Sequence, residues 1–336
     1  MKEKQNSHKH HLSKIINIIF ILFVVVGLIL IVYKNKDNFS QYKDVLININ
    51  YGTMLIVLLL TVVAIIFRNW SWYYLLLPVK KELSFMNLFR ISINALVADF
   101  TVPGKLGVPV KAILLKKTEN IEVGNSLPSI LGEIFIEHSS AILITIISVI
   151  IGGHLAKFFG AIKGIINAHS LLQYILLSVA LLFVLILIGF IFKKKLKAMN
   201  FFQNFMRTIH ITKKRVDYLS FSYLITIVNL IVSYYVVWLV LRTLGHPEIE
   251  LTFIIFAGTI TNLLSLISPI PGGVGVKEIT IYGLYDLYFQ LGGIAFLSLL
   301  IMRLVTYLSL FLSFLIERAF TGLYLAKKRK EYILTP

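Results

Sequence analysis

One uncharged run, from Leu251 to Val276, is long enough to cross a membrane and contains a dense cluster of helix-breaking residues near its end. A run of this length and polarity is typical of a transmembrane helix. Residues Pro269 to Gly275, however, include two prolines and three glycines, and both residue types destabilise the interior of a helix. We therefore expect the helix to break at membrane depth, where irregular backbone is tolerated only inside protein or beside water.

The same pattern occurs once more, earlier in the chain. Residues 94–108 align without a gap on residues 262–276, at a constant offset (262 − 94 = 168) that equals half the length of the 336-residue chain. The two breaks share identical residues at three pairs of positions: Pro103 with Pro271, Gly104 with Gly272, and Gly107 with Gly275. A single proline–glycine pair would indicate only a kink, whereas interrupted segments at matching positions of two halves are typical of a transporter binding site.

The composition indicates a polytopic membrane protein rather than a soluble domain. Hydrophobic residues make up 57% of the chain and charged residues 15%, and the mean hydropathy is +0.84. Lysine and arginine outnumber the acidic residues by 33 to 16. Because these basic residues lie mostly between apolar runs, membrane topology and anionic lipid headgroups explain them better than nucleic acid does. The chain has no cysteine, and the sequence predicts neither a metal site nor a cofactor.

Six runs are long and apolar enough to span the membrane. They are predicted at residues 15–33, 53–77, 127–151, 171–192, 218–241 and 294–316. The two broken segments are each predicted to form a re-entrant hairpin. The arms of the first hairpin lie at 88–97 and 110–115, and the second hairpin returns through 279–288. If the hairpin arms cross the bilayer fully, the number of spans rises to eight or more.

Counting sides along the chain predicts an all-α protein with two inverted-topology repeats, each with three spans and one broken hairpin. The first repeat is predicted at residues 15–151 and the second at 171–317. The basic segments 1–14 and 318–336 are predicted to be cytoplasmic tails. The loop at 193–215, with eight basic residues and no acid, marks the same side. We therefore expect a multi-pass plasma-membrane protein with both termini in the cytoplasm.

The two breaks supply the chemistry of the predicted site. A half-helix that begins after the glycines presents backbone N–H groups and the positive end of its dipole, which favour an anion. The candidates at the first break are Pro103, Gly104, Lys105, Gly107 and Lys111. The candidates at the second break are Pro271, Gly272, Gly273, Gly275, Lys277 and Glu278, together with Arg303 from the following span. Because a guanidinium suits phosphate, these residues predict a site for a phosphate-bearing headgroup near mid-membrane.

Three further charges lie inside predicted spans, where ionisable side chains are costly and usually face a partner or a cavity. Glu133 and Glu137 are four residues apart and share one helix face. Arg68 either snorkels to the membrane interface or serves as a further charge partner. Arg303 could alternatively pair with Glu133 or Glu137 and hold spans together. Signatures of zinc hydrolases, serine hydrolases and P-loop proteins are absent, so no catalytic residue is predicted.

From Pro269 to Glu278 the chain resembles the lysylphosphatidylglycerol synthase transmembrane region, a flippase-like family. The family hallmark Pro-x-Pro-Gly-Gly-x-Gly-x-basic-Glu is uninterrupted here. Arg303 matches an arginine that family members carry in the next span, and Glu133 and Glu137 resemble the acidic pair of the family's middle helix. The family usually has arginine directly after the first acid, where this chain has Ile134.

The resemblance implies that the chain moves a phosphate-bearing lipid between leaflets, either aminoacyl-phosphatidylglycerol or a polyprenyl or glycolipid relative. In the two-domain synthases this movement is linked to resistance against cationic antimicrobial peptides. Aminoacyl transfer there belongs to a separate soluble domain, which we expect this chain to lack, so a separately encoded transferase is an expected partner. Two alternatives remain open: a membrane subunit of a lipid-modifying enzyme of the phosphatidylglycerol lysyltransferase type, and a small-anion secondary transporter. Membrane lipids are the expected partners, nucleic acid is not, and a homo-oligomer is compatible with the sequence.

Overall fold

The computed structural model describes Tyr33 and residues 47–101, 106–152, 200–266 and 273–334. All regular secondary structure within these ranges is helical, which confirms the prediction of an all-α polytopic membrane protein. The helices of the described residues are α1 (Tyr51–Leu76), α2 (Phe85–Thr101), α3 (Gly107–Glu119), α4 (Val123–Ile151), α5 (Asn200–Lys214), α6 (Val216–Thr243), α7 (Leu251–Leu266), α8 (Val276–Phe289) and α9 (Gly292–Leu334).

Four helices of the described residues are long and apolar enough to cross a membrane: α1, α4, α6 and the segment Gly292–Gly322 of α9. They coincide with the spans predicted at 53–77, 127–151, 218–241 and 294–316. Helix α9 continues to Leu334, through most of the segment that the sequence assigns to a basic tail. The spans predicted at 15–33 and 171–192, and the tail at 1–14, lie outside the described residues.

The basic stretch predicted as a loop contains a helix, so that prediction is wrong over residues 200–214. Helix α5 packs against α4. Thr208 is buried in this contact, and its hydroxyl donates to Asn125 Oδ1 at 3.4 Å. The prediction of a loop used the lysines and arginines of α5, which indicate a side of the membrane. It did not use the helical spacing of the apolar residues, which indicates an apolar helix face.

Helices α2 and α3 form a pair that begins and ends at one end of the bundle. Glu119, the last residue of α3, accepts hydrogen bonds from Lys80 Nζ at 2.9 Å and from Asn87 Nδ2 at 3.0 Å. Lys80 follows α1, and Asn87 lies in the first turn of α2. The chain therefore enters α2 and leaves α3 at the end of the bundle where α1 ends.

Helices α7 and α8 form a second pair of the same kind. The ring of Phe253, in the first turn of α7, lies 5.0 Å from Tyr285, 5.0 Å from Tyr288 and 4.8 Å from Phe289, measured between centroids. Those three residues form the end of α8. We call the end at which the chain enters and leaves a helix pair its base. An aromatic cluster closes the base of this pair, whereas ionic contacts of Glu119 close the base of the first pair.

Helices α1 and α6 pack against each other in antiparallel directions. The Ser71 hydroxyl near the end of α1 lies 2.8 Å from both the Ser222 and Thr226 hydroxyls near the start of α6. At the other end, Val57 of α1 packs in one cluster with Val240 of α6. Small hydroxyl residues permit such close approach between membrane helices. Because each short pair follows the carboxyl end of one of these antiparallel helices, the two bases lie at opposite ends of the bundle.

The helix bounds of the two halves correspond at the offset found in the sequence. Adding 168 to the bounds of α1, α3 and α4 gives 219–244, 275–287 and 291–319, against observed bounds of 216–243 for α6, 276–289 for α8 and a start at 292 for α9. The helix contacts correspond as well, because α4 packs on α7 as α9 packs on α2. The four helices from α1 to α4 are thus matched, in order and in pairing, by the four from α6 to α9.

Candidate functional site

Helix α8 begins directly after the second glycine cluster, in a backbone conformation that other residues rarely adopt. Gly273 and Gly275 have φ values of +66° and +81°, in the region that glycine tolerates without a steric penalty. A continuous helix through these two positions is therefore excluded. Pro271 and Gly272 lie outside the described residues.

Glu278 binds both the start of α8 and the arginine of the next span. Its Oε2 accepts the Gly275 N–H at 2.6 Å, and its Oε1 accepts from Arg303 Nε at 2.5 Å. The side chain is buried, at 3% exposure. A carboxylate of the same helix therefore binds the Gly275 amide, while the expectation that the N–H groups at the start of α8 favour an anion stays a prediction. The alternative that pairs Arg303 with Glu133 or Glu137 is wrong, because its ion-pair partner is Glu278.

The start of α3 is capped in a similar way by a residue that is not among the predicted site residues. Asp99 of α2 accepts the Gly107 N–H on Oδ1 at 2.7 Å. A Cβ atom at Gly107 would overlap the Asp99 carboxylate, so a larger residue would displace the carboxylate from this amide. The sequence signal for Asp99 is that it is the single acid of α2 and lies shortly before the break. Pro103, Gly104 and Lys105 lie outside the described residues.

Four of the predicted residues form one ionic network between α1, α3 and α4, which we call the α4 charge cluster. Glu133 Oε2 accepts from Lys111 Nζ at 2.5 Å, and Glu133 Oε1 accepts from Arg68 Nε at 3.3 Å. Arg68 Nη2 donates to Glu137 Oε2 at 3.1 Å. Lys111 Nζ also lies 4.1 Å from the centroid of the Trp72 ring. Arg68 is thus turned toward α4 and bound there, which differs from a side chain that snorkels to the interface.

A cavity with a volume of about 350 Å³ lies between the two halves and is bordered by α1, α2, α4, α6, α7, α8 and α9. We call it the central cavity. Its charged lining residues are Arg68, Glu137, Lys277 and Arg303. The Nη2 atom of Arg303 is buried and has no hydrogen-bond partner among the described residues. Buried donors are normally bonded, so this atom indicates a place for an acceptor.

A second, smaller cavity of about 50 Å³ lies beside the first break. Asp99, Gly107, Lys111 and Glu133 line it, and Arg68 lines both cavities. The predicted site residues within the described ranges lie in two adjacent groups. One group surrounds the α4 charge cluster, and the other joins α8 to Arg303.

The central cavity also contains polar residues that sequence reasoning did not select. Asn262 aligns with Asn94 and lines the cavity together with Tyr234. The Tyr234 hydroxyl lies 2.8 Å from Thr259 Oγ1, which in turn accepts from Thr145 at 2.8 Å. Asparagine and tyrosine are common in uncharged spans, so these residue types alone did not indicate a functional site.

The family described as lysylphosphatidylglycerol synthase TM region matches residues 17–313 of the chain. The match includes both glycine clusters, the α4 charge cluster and Arg303, and it confirms the resemblance found in the sequence. No curated protein and no solved structure matches the chain.

Proposed function

The chain belongs to the lysylphosphatidylglycerol synthase transmembrane-region family, and from this membership we propose that it is a flippase for a phosphate-bearing lipid. The substrate is aminoacyl-phosphatidylglycerol or a polyprenyl or glycolipid relative. We place the protein in the plasma membrane with both termini in the cytoplasm. Where the lipid is aminoacylated, its transfer to the outer leaflet would contribute to resistance against cationic peptides.

The observation that carries the proposal is the unpartnered Nη2 atom of Arg303 beside a cavity of about 350 Å³. Arginine binds phosphate with charge-assisted, paired hydrogen bonds. Because Glu278 holds the Nε atom, the guanidinium is fixed in orientation while Nη2 remains available. The cavity lies at the lower end of the usual range for ligand pockets, which suits a headgroup and not a whole lipid. Lys277, on the same wall, adds a second positive charge.

The arrangement of the helices supports transport rather than static binding. The antiparallel contact of α1 with α6, the opposite bases of the two short pairs and the common half-chain offset are what two inverted repeats with re-entrant hairpins would produce. In this geometry the central cavity lies between the repeats. Rocking of one repeat against the other would open it first to one leaflet and then to the other.

The seam between α2 and α9 is the proposed path for the acyl chains. Phe100 and Thr306 line the central cavity at this seam. The Phe100 ring packs edge-on against Tyr307, with centroids 5.7 Å apart, and Tyr307 is 46% exposed on the outer surface. A headgroup in the cavity could therefore keep its acyl chains in the bilayer if these two rings part.

The test removes Arg303 without leaving a buried charge behind. The double variant Arg303→Met with Glu278→Gln deletes both charges and keeps a side-chain acceptor for the Gly275 amide. In vesicles of phosphatidylcholine and phosphatidylglycerol, movement of fluorescent phosphatidylglycerol should fall by about ten- to a hundredfold. This range is the loss of one hydrogen bond to a charged group, about 1.5–3 kcal/mol. The matched control is Arg242→Ala, because Arg242 stacks on Trp238 at the end of α6 and does not line the central cavity.

The outcomes separate the candidate functions. Lipid movement that is unchanged in a folded double variant would remove Arg303 from the mechanism. Loss of phosphate uptake with intact lipid movement would instead favour the small-anion transporter. Chemical conversion of the lipid by the purified protein, with no change in its leaflet, would favour the lipid-modifying enzyme.

A further inference from the structure

The α4 charge cluster and Asp99 contain more acids than bases. Among the described residues, Arg68 and Lys111 are the two cations there, and the carboxylates are Asp99, Glu133 and Glu137. Glu133 is bonded to both cations, and Glu137 is bonded to Arg68. Asp99 has no ion pair within the described ranges and is bonded to a backbone amide instead. It is therefore the carboxylate of this group that makes no direct ion pair with a described cation.

A buried amide beside Asp99 points to a bound water. Asn69 is 1% exposed, its Oδ1 accepts from the Ser92 hydroxyl at 2.8 Å, and its Nδ2 is buried without a partner in the described part of the chain. Asn69, Ser92 and Asp99 all line the small cavity of about 50 Å³. Because about 10–15 Å³ of free space is enough for one water, this cavity has room for water beside the Asn69 and Asp99 side chains that line it. Such a water is a route by which a proton can reach Asp99.

Two cations line the central cavity at the second break. Arg303 and Lys277 are the cations there, and Glu278 is the acid paired with Arg303. An anionic headgroup is attracted to this group and adds one negative charge to the neighbouring cavities. A buried net charge is costly in a membrane, so binding of the anion favours neutralisation of a nearby acid.

We propose that Asp99 binds a proton when an anionic headgroup enters the central cavity, so that the lipid and a proton move together. This inference rests on the proposed function. The proton comes from water and binds Oδ2, while Oδ1 continues to accept the Gly107 N–H. The charged groups that line the small cavity together with Asp99 are Arg68 from α1, Lys111 from α3 and Glu133 from α4.

The experiment measures protons taken up when a phosphodiester binds. Dimethyl phosphate is a suitable probe because it stays singly charged near neutral pH, so any proton taken up belongs to the protein. It is added to the purified full chain in weakly buffered detergent solution with a pH indicator. We expect uptake of about one proton per protein at saturation, and an affinity that falls by up to about tenfold for each unit of rising pH.

The variants are chosen to leave the fold intact. Asp99→Asn keeps an oxygen acceptor for the Gly107 amide but cannot bind a proton, so it should bind dimethyl phosphate without proton uptake. Asp217→Asn is the matched control, because Asp217 lies in an exposed pair with Arg215 outside both cavities. It should retain the uptake of the unmodified protein. Uptake that persists in Asp99→Asn would overturn the proposal.

A second measurement needs no phosphate. In infrared difference spectra of the free protein, lowering the pH should produce a carboxylic C=O band that Asp99→Asn lacks and Asp217→Asn keeps. If Lys105, which lies outside the described residues, were the counter-ion of Asp99, this band would be absent at mildly acidic pH, and the proposal would be wrong. Failure of dimethyl phosphate to bind at all would instead count against the proposed function, while the infrared titration would still decide whether Asp99 takes up a proton.

Discussion

Removal of Glu133 tests whether the α4 charge cluster stabilises the fold through charge pairing. Glu133 is 5% exposed and bonded to both Lys111 and Arg68. Glu133→Leu leaves the Lys111 ammonium, 9% exposed, without a counter-ion. Breaking a buried pair from one side costs about 3–5 kcal/mol. Arg68 keeps Glu137 as a partner, so most of the loss belongs to Lys111.

The reverse change should cost less, and the two changes together should cost least. In Lys111→Met the Glu133 carboxylate retains Arg68, so we expect a loss of about 1–3 kcal/mol. The double variant Lys111→Met with Glu133→Leu removes both charges, and methionine keeps contact with the Trp72 ring. Replacing a buried ion pair by apolar residues of similar volume is often neutral. We therefore expect a loss below about 1 kcal/mol and a coupling of about 3–8 kcal/mol between the two positions.

The assay is equilibrium unfolding of the purified protein in mixed micelles with increasing sodium dodecyl sulfate. Tryptophan fluorescence reports the transition, because Trp72 is fully buried against Lys111. Four proteins complete the cycle: the unmodified chain, the two single variants and the double variant. If the losses of the two single variants simply add in the double variant, the ions are separately solvated, and the pairing argument is wrong.

The backbone of α8 and the base of the first helix pair give two further predictions. Gly275→Ala should lower the unfolding free energy by about 1–3 kcal/mol, because φ is +81° there. The control Gly283→Ala, inside the same helix and with open space around it, should raise it by about 0.5–1 kcal/mol. Glu119→Gln weakens the bond from Lys80 and should cost about 1–3 kcal/mol in the same assay. The exposed Glu122→Gln should change the unfolding free energy by less than about 0.5 kcal/mol. Equal effects at the two glutamates would contradict a stabilising role for the Glu119 contacts at the end of α3.

The spans and the breaks could be predicted because their causes are local in the sequence. An uncharged run of spanning length has few alternatives to a membrane helix, and glycine at φ values of +66° and +81° marks the second break in the structure as in the sequence. The helix α5 was missed for the opposite reason. Its lysines and arginines are typical of a cytoplasmic loop. Its apolar face packs against α4, and this contact is known from the structure alone.

The charge pairs could not be predicted, because they depend on how helices far apart in sequence are rotated against each other. Arg68 and Glu133 are separated by 65 residues and meet because α1 and α4 pack face to face. Arg303 pairs with Glu278, 25 residues earlier, although its aligned position lies between the two glutamates of α4. The half-chain offset therefore predicts which helices correspond, and it does not predict which charges meet.

The two helix starts that follow the breaks are each bound by a carboxylate, but from different positions in the chain. Asp99 aligns with Ile267 and Glu278 aligns with Val110, so neither capping acid has an acidic counterpart in the other half. Nevertheless a carboxylate binds the first amide of α3 and the amide directly before α8. A helix start buried in a membrane needs a negative group at its unpaired amides, and two different positions meet that need. The backbone thus fixes where a negative group is needed. The chain position of the acid that meets this need determines which other side chains the acid contacts. Arg303 holds Glu278, whereas Asp99 has no ion pair among the described residues, and this difference gives two similar halves unequal chemistry.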